Sequence, residues 1–118
     1  MCEIPIADVL YCDLIWSDPS ENKNGDQRNR AMFNDSRDCS IVFGAELAND
    51  FLRENKLTSI IRAHEVFLEG YNLHKWNRDS KIPPVITVFS APNYCGVYKN
   101  RGAILSLEVF LMIFRTIR

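Results

Sequence analysis

No two of the four cysteines, Cys2, Cys12, Cys39 and Cys95, stand in a CxxC pair. A structural zinc site built on that spacing is therefore excluded. No basic segment followed by an apolar stretch opens the chain, so no signal peptide is visible. The longest unbroken apolar run, residues 109–114, falls far short of the roughly 20 residues that span a bilayer. Glycine-rich phosphate loops, GxSxG and HExxH are missing too. Charge of one sign is not in excess: the formal net charge is −1, with basic and acidic residues interspersed. That balance argues against nucleic acid and against a membrane surface as partners. Cysteines without a framework suit reduced thiols in a cytoplasmic or nuclear compartment.

What is present fits one small domain: 118 residues, 47% apolar and 25% charged. Val9 to Trp16 is apolar apart from Asp13 and reads as a strand or the approach to one. From Ser17 to Ser40 polar residues dominate, which predicts a long loop. Leu47, Ala48, Phe51 and Leu52 recur at helical spacing, so Ala45 to Asn55 is an amphipathic helix after Gly44. Thr58 to Ile61 is a short β-rich run, and Gly70 to Trp76 alternates as a half-buried strand does. "VITVFS" is a continuous apolar strand after Pro83 and Pro84, and "APNY" is a turn. "AILSLE" and "LMIFRTI" are close enough to form a hairpin. The order predicts an α+β or α/β fold with a mixed sheet.

Three places carry chemistry. Arg37, late in the polar segment, has a guanidinium fork that can hold phosphate or carboxylate in a bidentate manner; taken alone it reads more readily as a solvated loop arginine, because exposed arginines are common. His64 follows an apolar run, where ligands often sit, and a neutral imidazole is the commonest metal-binding side chain. It also reads as a structural histidine, as His74 does inside its strand. "FSAPNYCG" presents Tyr94 and Cys95 on a turn, either to line a pocket or as an ordinary connection.

Taken together and in order, "CDLIWSDP", "RDCSIVFG", "FLRENKLTSIIRAHE", "EGY", "VITVFSAPNYCG" and "NRGAILSL" closely resemble the C-terminal half of the catalytic domain of the phosphoprotein phosphatases. These are metal-dependent serine/threonine protein phosphatases, and the chain mixes calcineurin-like strings with protein phosphatase 1-like ones. The resemblance implies that residues 1–118 are an incomplete part of a calcineurin-like metallophosphoesterase β-sandwich with flanking helices. It implies that His64 is a metal ligand, that Arg37 grips the substrate phosphate, that Tyr94 lines the cleft and that Asp18 supports the site from the "WSDP" turn. Cys95 lies on the loop, residues 90–96, that a regulatory subunit or inhibitor would contact.

The family's cofactor is a pair of metal ions, with Mn, Fe or Zn as candidates, and this chain supplies one matched ligand. GDxHG, GDxVDRG and GNHE, which carry most of the ligands and the general acid in the N-terminal half, do not occur in it. Two readings follow from the resemblance. One is part of a hydrolase for phosphoserine and phosphothreonine in protein substrates, active only with its other half. The other is an inactive remnant that binds regulators. Asp38 stands where the family usually has glycine, which flags the backbone there, since glycine permits conformations that aspartate adopts less easily. Val109 and Phe110 are unusual at a hairpin turn that the family usually makes from polar residues.

Overall fold

A computed structural model describes residues 9–21, 31–76, 81–108 and 111–117. Cys2, Val109 and Phe110 lie outside the described residues. The chain divides into two compact units, one running up to Leu57 and including Trp76, the other holding Thr58–Lys75 and the chain from Ser80 onward. Each has its own sheet and its own buried residues.

The first unit opens with a correction. Val9–Trp16 is a helix, α1, and not a strand. A short apolar run carries no decisive period, so side-chain pattern alone cannot separate the two. None of its residues is buried; Leu10 and Leu14 are 72% and 77% exposed. The polar segment that follows is not a plain loop either. It contributes β1 (Asp18–Pro19) and β2 (Ala31–Phe33), which flank β3 (Ile41–Phe43) in a three-stranded sheet, β1 parallel and β2 antiparallel to it. Helix α2 (Ala45–Glu54) follows Gly44 as the spacing predicts. Ala48 and Leu52, four residues apart on one face, are its buried contacts. Glu46 in the first turn and Arg53 in the last suit the helix dipole. Trp76 closes the unit: its indole N–H donates to the Ser20 carbonyl at 2.9 Å, and its ring meets Phe43 edge-on.

In the second unit, β6 (Val85–Val88) is the centre of a three-stranded sheet. It pairs in parallel with β4 (Ile60–Arg62) and antiparallel with β5 (Tyr71–His74). Val85, Ile86 and Thr87 are fully buried, as a continuous β-branched run on a central strand should be. His74 is structural: it is buried, and its Nε2 lies 3.0 Å from the Thr87 hydroxyl. The expected hairpin is present as β7 (Gly102–Glu108) and β8 (Leu111–Ile117), antiparallel from Gly102 opposite Ile117 to Glu108 opposite Leu111. Phe114 of β8 stacks on Tyr71 of β5 at 4.4 Å between ring centroids.

Gly70 joins these layers. It lies at φ +79, its carbonyl accepts from the Phe89 amide at 2.8 Å, and a Cβ there would come within 2.7–2.8 Å of the main chain at Arg101, Gly102 and Ala103. Only glycine permits both the backbone conformation and the approach. Among the described residues, no helix is long and apolar enough to cross a membrane.

Candidate functional site

The first unit holds Arg37 and Asp18 together. Residues 34–37 form a tight turn, closed by the Arg37 amide donating to the Asn34 carbonyl at 3.1 Å, and the Asn34 amide donates in turn to the Ser40 carbonyl at 3.1 Å. The turn aims Arg37 at β1. Its Nε donates to Oδ2 of Asp18 at 2.9 Å, and its guanidinium carbon lies 6.0 Å from the centroid of the Trp16 ring. Asp18 is buried, whereas the Arg37 side chain is 30% exposed. Because the carboxylate takes Nε, both terminal nitrogens of the fork make no hydrogen bond among the described residues. An arginine anchored at its inner nitrogen and open at its outer two is arranged for bidentate contact with an oxyanion.

Asn34 is the residue that sequence reasoning passed over. It is 1% exposed, and its Nδ2 donates to the same Asp18 oxygen at 3.0 Å and reaches the Trp16 carbonyl at 3.5 Å. The only sequence signal for it is an asparagine at the first position of a turn, where that residue type is favoured. Ser40 adds a further tie: its hydroxyl donates to Asp13 at 2.8 Å and lies 2.9 Å from the Ser17 hydroxyl.

The second unit holds His64 and Tyr94. His64 is half-buried, two residues beyond β4, at φ +82. A non-glycine residue there is uncommon and costs energy that the surroundings must sustain. An ion pair between Arg62 and Glu65, both largely buried, brackets it. Tyr94 is exposed at the start of a single 3-10 turn (Tyr94–Gly96), with its ring edge-on to Phe89 at 5.2 Å. Asn100 fixes that loop. It is buried, it donates from Nδ2 to the carbonyls of Ala91 and Arg101 at 2.9 Å each, and it accepts the Tyr94 amide at 2.9 Å.

Among the described residues, the non-glycine positions with positive φ are Asp38, Ser40, Lys56, His64, Asn93, Cys95 and Lys99. Asp38 and Ser40 follow Arg37, His64 is one of them, and Asn93 and Cys95 flank Tyr94, whereas Lys56 follows the C-terminal end of α2 and Lys99 lies late in the loop after Tyr94. Asp38, at φ +54, takes the left-handed conformation despite its Cβ. The metal expectation fares differently. No group of three His, Cys, Asp or Glu side chains able to hold a metal ion forms among the described residues. A binuclear centre does not fit these residues by themselves.

No protein-family profile matches the chain. It is 42% identical over 122 residues to the serine/threonine-protein phosphatase 2B catalytic subunit A1 of Saccharomyces cerevisiae, an alignment that takes in 96% of this chain and 22% of that protein. A solved structure of a protein serine/threonine phosphatase from Saccharomyces cerevisiae, described as similar to human phosphatase PP5, superposes with a TM-score of 0.63 at 31% identity. The match covers 88% of this chain and 32% of the other. The mixed α/β elements, with small sheets and two α-helices among the described residues, are thus those of a partial phosphatase fold. The chain belongs to the phosphoprotein phosphatase family, matching the C-terminal part of its catalytic domain.

Proposed function

We propose that this chain provides the phosphate grip and one wall of the cleft in a serine/threonine protein phosphatase acting on phosphoserine and phosphothreonine in proteins. The observation that carries the reading is the anchored fork of Arg37: Nε on buried Asp18, with no hydrogen bond from the outer nitrogens among the described residues. Charge-assisted bonds from such a fork strengthen as negative charge builds on the transferring phosphoryl group. Tyr94 is assigned to the cleft wall by resemblance; its ring is exposed and meets Phe89 edge-on at 5.2 Å. His64 is the position offered to the family's metal pair; because no group of three metal-ligating side chains forms among the described residues, metal chemistry is assigned to the combined domain and not to these residues.

The chain spans about a fifth of the length of the phosphatase 2B subunit it resembles, so the test uses it joined to the N-terminal part of a relative's catalytic domain. Steady-state kinetics on a phosphoserine peptide should rank three variants. Arg37→Lys loses the planar fork and should cost on the order of 10-fold in kcat/KM. His64→Ala should cost more, and Tyr94→Phe least, since it keeps the ring. Near-parental activity of both Arg37→Lys and His64→Ala in a well-folded joined enzyme would refute the assignment.

A second reading is a regulator-binding module. The exposed side chains of Tyr94, Val97 and Tyr98 on one Asn100-fixed loop favour it. Capture of a regulatory subunit or inhibitor by the chain, lost in Tyr98→Ser without any phosphatase activity in the joined enzyme, would select it.

A further inference from the structure

We propose that Asn34 is a positioning residue for the Arg37 fork, holding Asp18 so that the outer guanidinium nitrogens face a phosphate monoester dianion; the inference rests on the reading of Arg37 as the phosphate grip. Asp18 comes from β1 and Arg37 from a turn nineteen positions on, so nothing in the local chain fixes one against the other. Asn34 does so from both ends. Its main chain closes the turn that carries Arg37, and its carboxamide donates to the very carboxylate oxygen that accepts Arg37 Nε.

The chemistry of the donor matters. A buried carboxylate needs more than one donor to stay ionised and still. A second cation at position 34 would supply that donor, but it would also compete with Arg37 for the carboxylate. A neutral amide donates without competing. Asp18 Oδ2 thus accepts from Arg37 Nε and from Asn34 Nδ2 together, and among the described residues the pair is held through the inner guanidinium nitrogen. At 1% exposure the carboxamide has no solvent role, and its reach to the Trp16 carbonyl ties the same pair to the end of α1. The residue whose main chain Asn34 reaches, Trp16, is also the one whose ring centroid lies 6.0 Å from the Arg37 guanidinium carbon.

The full chain at low concentration is titrated with inorganic phosphate and with O-phosphoserine, and the Arg37 Nε–H resonance is followed, identified as the signal absent in Arg37→Lys. In the parent this proton is protected from exchange and moves on binding. Asn34→Ala should weaken phosphate binding about 10-fold, equivalent to ~1.4 kcal/mol, and should bring Arg37 Nε–H exchange to the rate of a solvated arginine. The amides of Val42, Ala48 and Leu52 should keep their protection. Asn34→Asp, of the same size, turns the donor into a second carboxylate facing Asp18 and should weaken binding at least as much.

Unchanged affinity and unchanged Nε–H exchange in both Asn34 variants, with binding lost in Arg37→Lys, overturns the inference and leaves the reading of Arg37 standing. Parental affinity in Arg37→Lys overturns that reading instead. If the parent binds no phosphate the reading also falls, while Nε–H exchange still decides whether Asn34 holds the fork. Loss of α2 protection in both Asn34 variants shows a purely structural residue and overturns the inference too.

Discussion

Replacing Gly70 by alanine sets two separate penalties on one residue. The backbone stands at φ +79, where an L side chain costs ~1–2 kcal/mol. The new Cβ would also lie 2.7–2.8 Å from the Arg101 oxygen, the Gly102 carbon and the Ala103 nitrogen, all of them main chain that no rotamer can move aside. Forcing an extra carbon into packed surroundings costs a further ~1–3 kcal/mol. The sum, roughly 2–5 kcal/mol, is a large share of the ~5–15 kcal/mol that holds a typical domain together. The structure supplies an internal control. Gly96 has a similar φ, +72, but nothing lies within 4 Å of its absent Cβ. Gly96→Ala should therefore show the conformational penalty alone, ~1–2 kcal/mol. Urea unfolding followed by circular dichroism gives both values. Exchange of the Phe89 and Ala103 amides, which bond Gly70 and Phe89 carbonyls at 2.8 and 2.9 Å, localises the damage. If Gly70→Ala cost no more than Gly96→Ala, the account of close backbone approach at β7 would be wrong.

Two further outcomes are expected. Burial pushes the Cys12 thiol up, and a hydrogen bond with Cys39 together with the charges of Cys39 and Asp13 pushes it further the same way. A raised thiol carries less thiolate at neutral pH, so iodoacetamide should modify Cys12 slowly and more readily only as the pH rises, while exposed Cys95 reacts first; mass spectrometry showing Cys12 as fast as Cys95 would contradict this. The apolar, solvent-facing α1 should drive self-association as concentration increases, and Leu10→Glu with Leu14→Glu should suppress it in light scattering with no loss of stability to urea.

Some elements announce themselves in the sequence and others cannot. Val85 to Val88 is legible because all four residues are β-branched and follow two prolines, the composition and flanking that tip a short apolar run towards a strand. Helix α2 is legible because Ala48 and Leu52 repeat at four. Helix α1 is not, since its apolar residues surround it and none is buried, leaving no period to read. β1 and β2 are two and three residues long, too short to alternate, and β1 places a buried aspartate in the ladder opposite Val42. Arg37, His64 and Tyr94 stand out in the sequence by residue type and through resemblance, and their roles are those proposed above. Asn34 was not, because its importance lies in meeting Asp18 sixteen residues away, a contact that the tertiary fold creates.

The Asn100 fastening has a consequence for how this loop can vary. One side chain holds Ala91, Tyr94 and Arg101, and the Asn93 amide and side chain add bonds to Asn100 and Lys99, so the outline of the loop is written into its two ends. Cys95 and Gly96 must still supply left-handed backbone. Val97, by contrast, is 69% exposed and Tyr98 55% exposed, and neither has a side chain in that set of bonds. Their identities can be exchanged while the scaffold beneath keeps its shape. The loop is in that sense a fixed frame with interchangeable lettering, able to alter what it meets without altering how it is built.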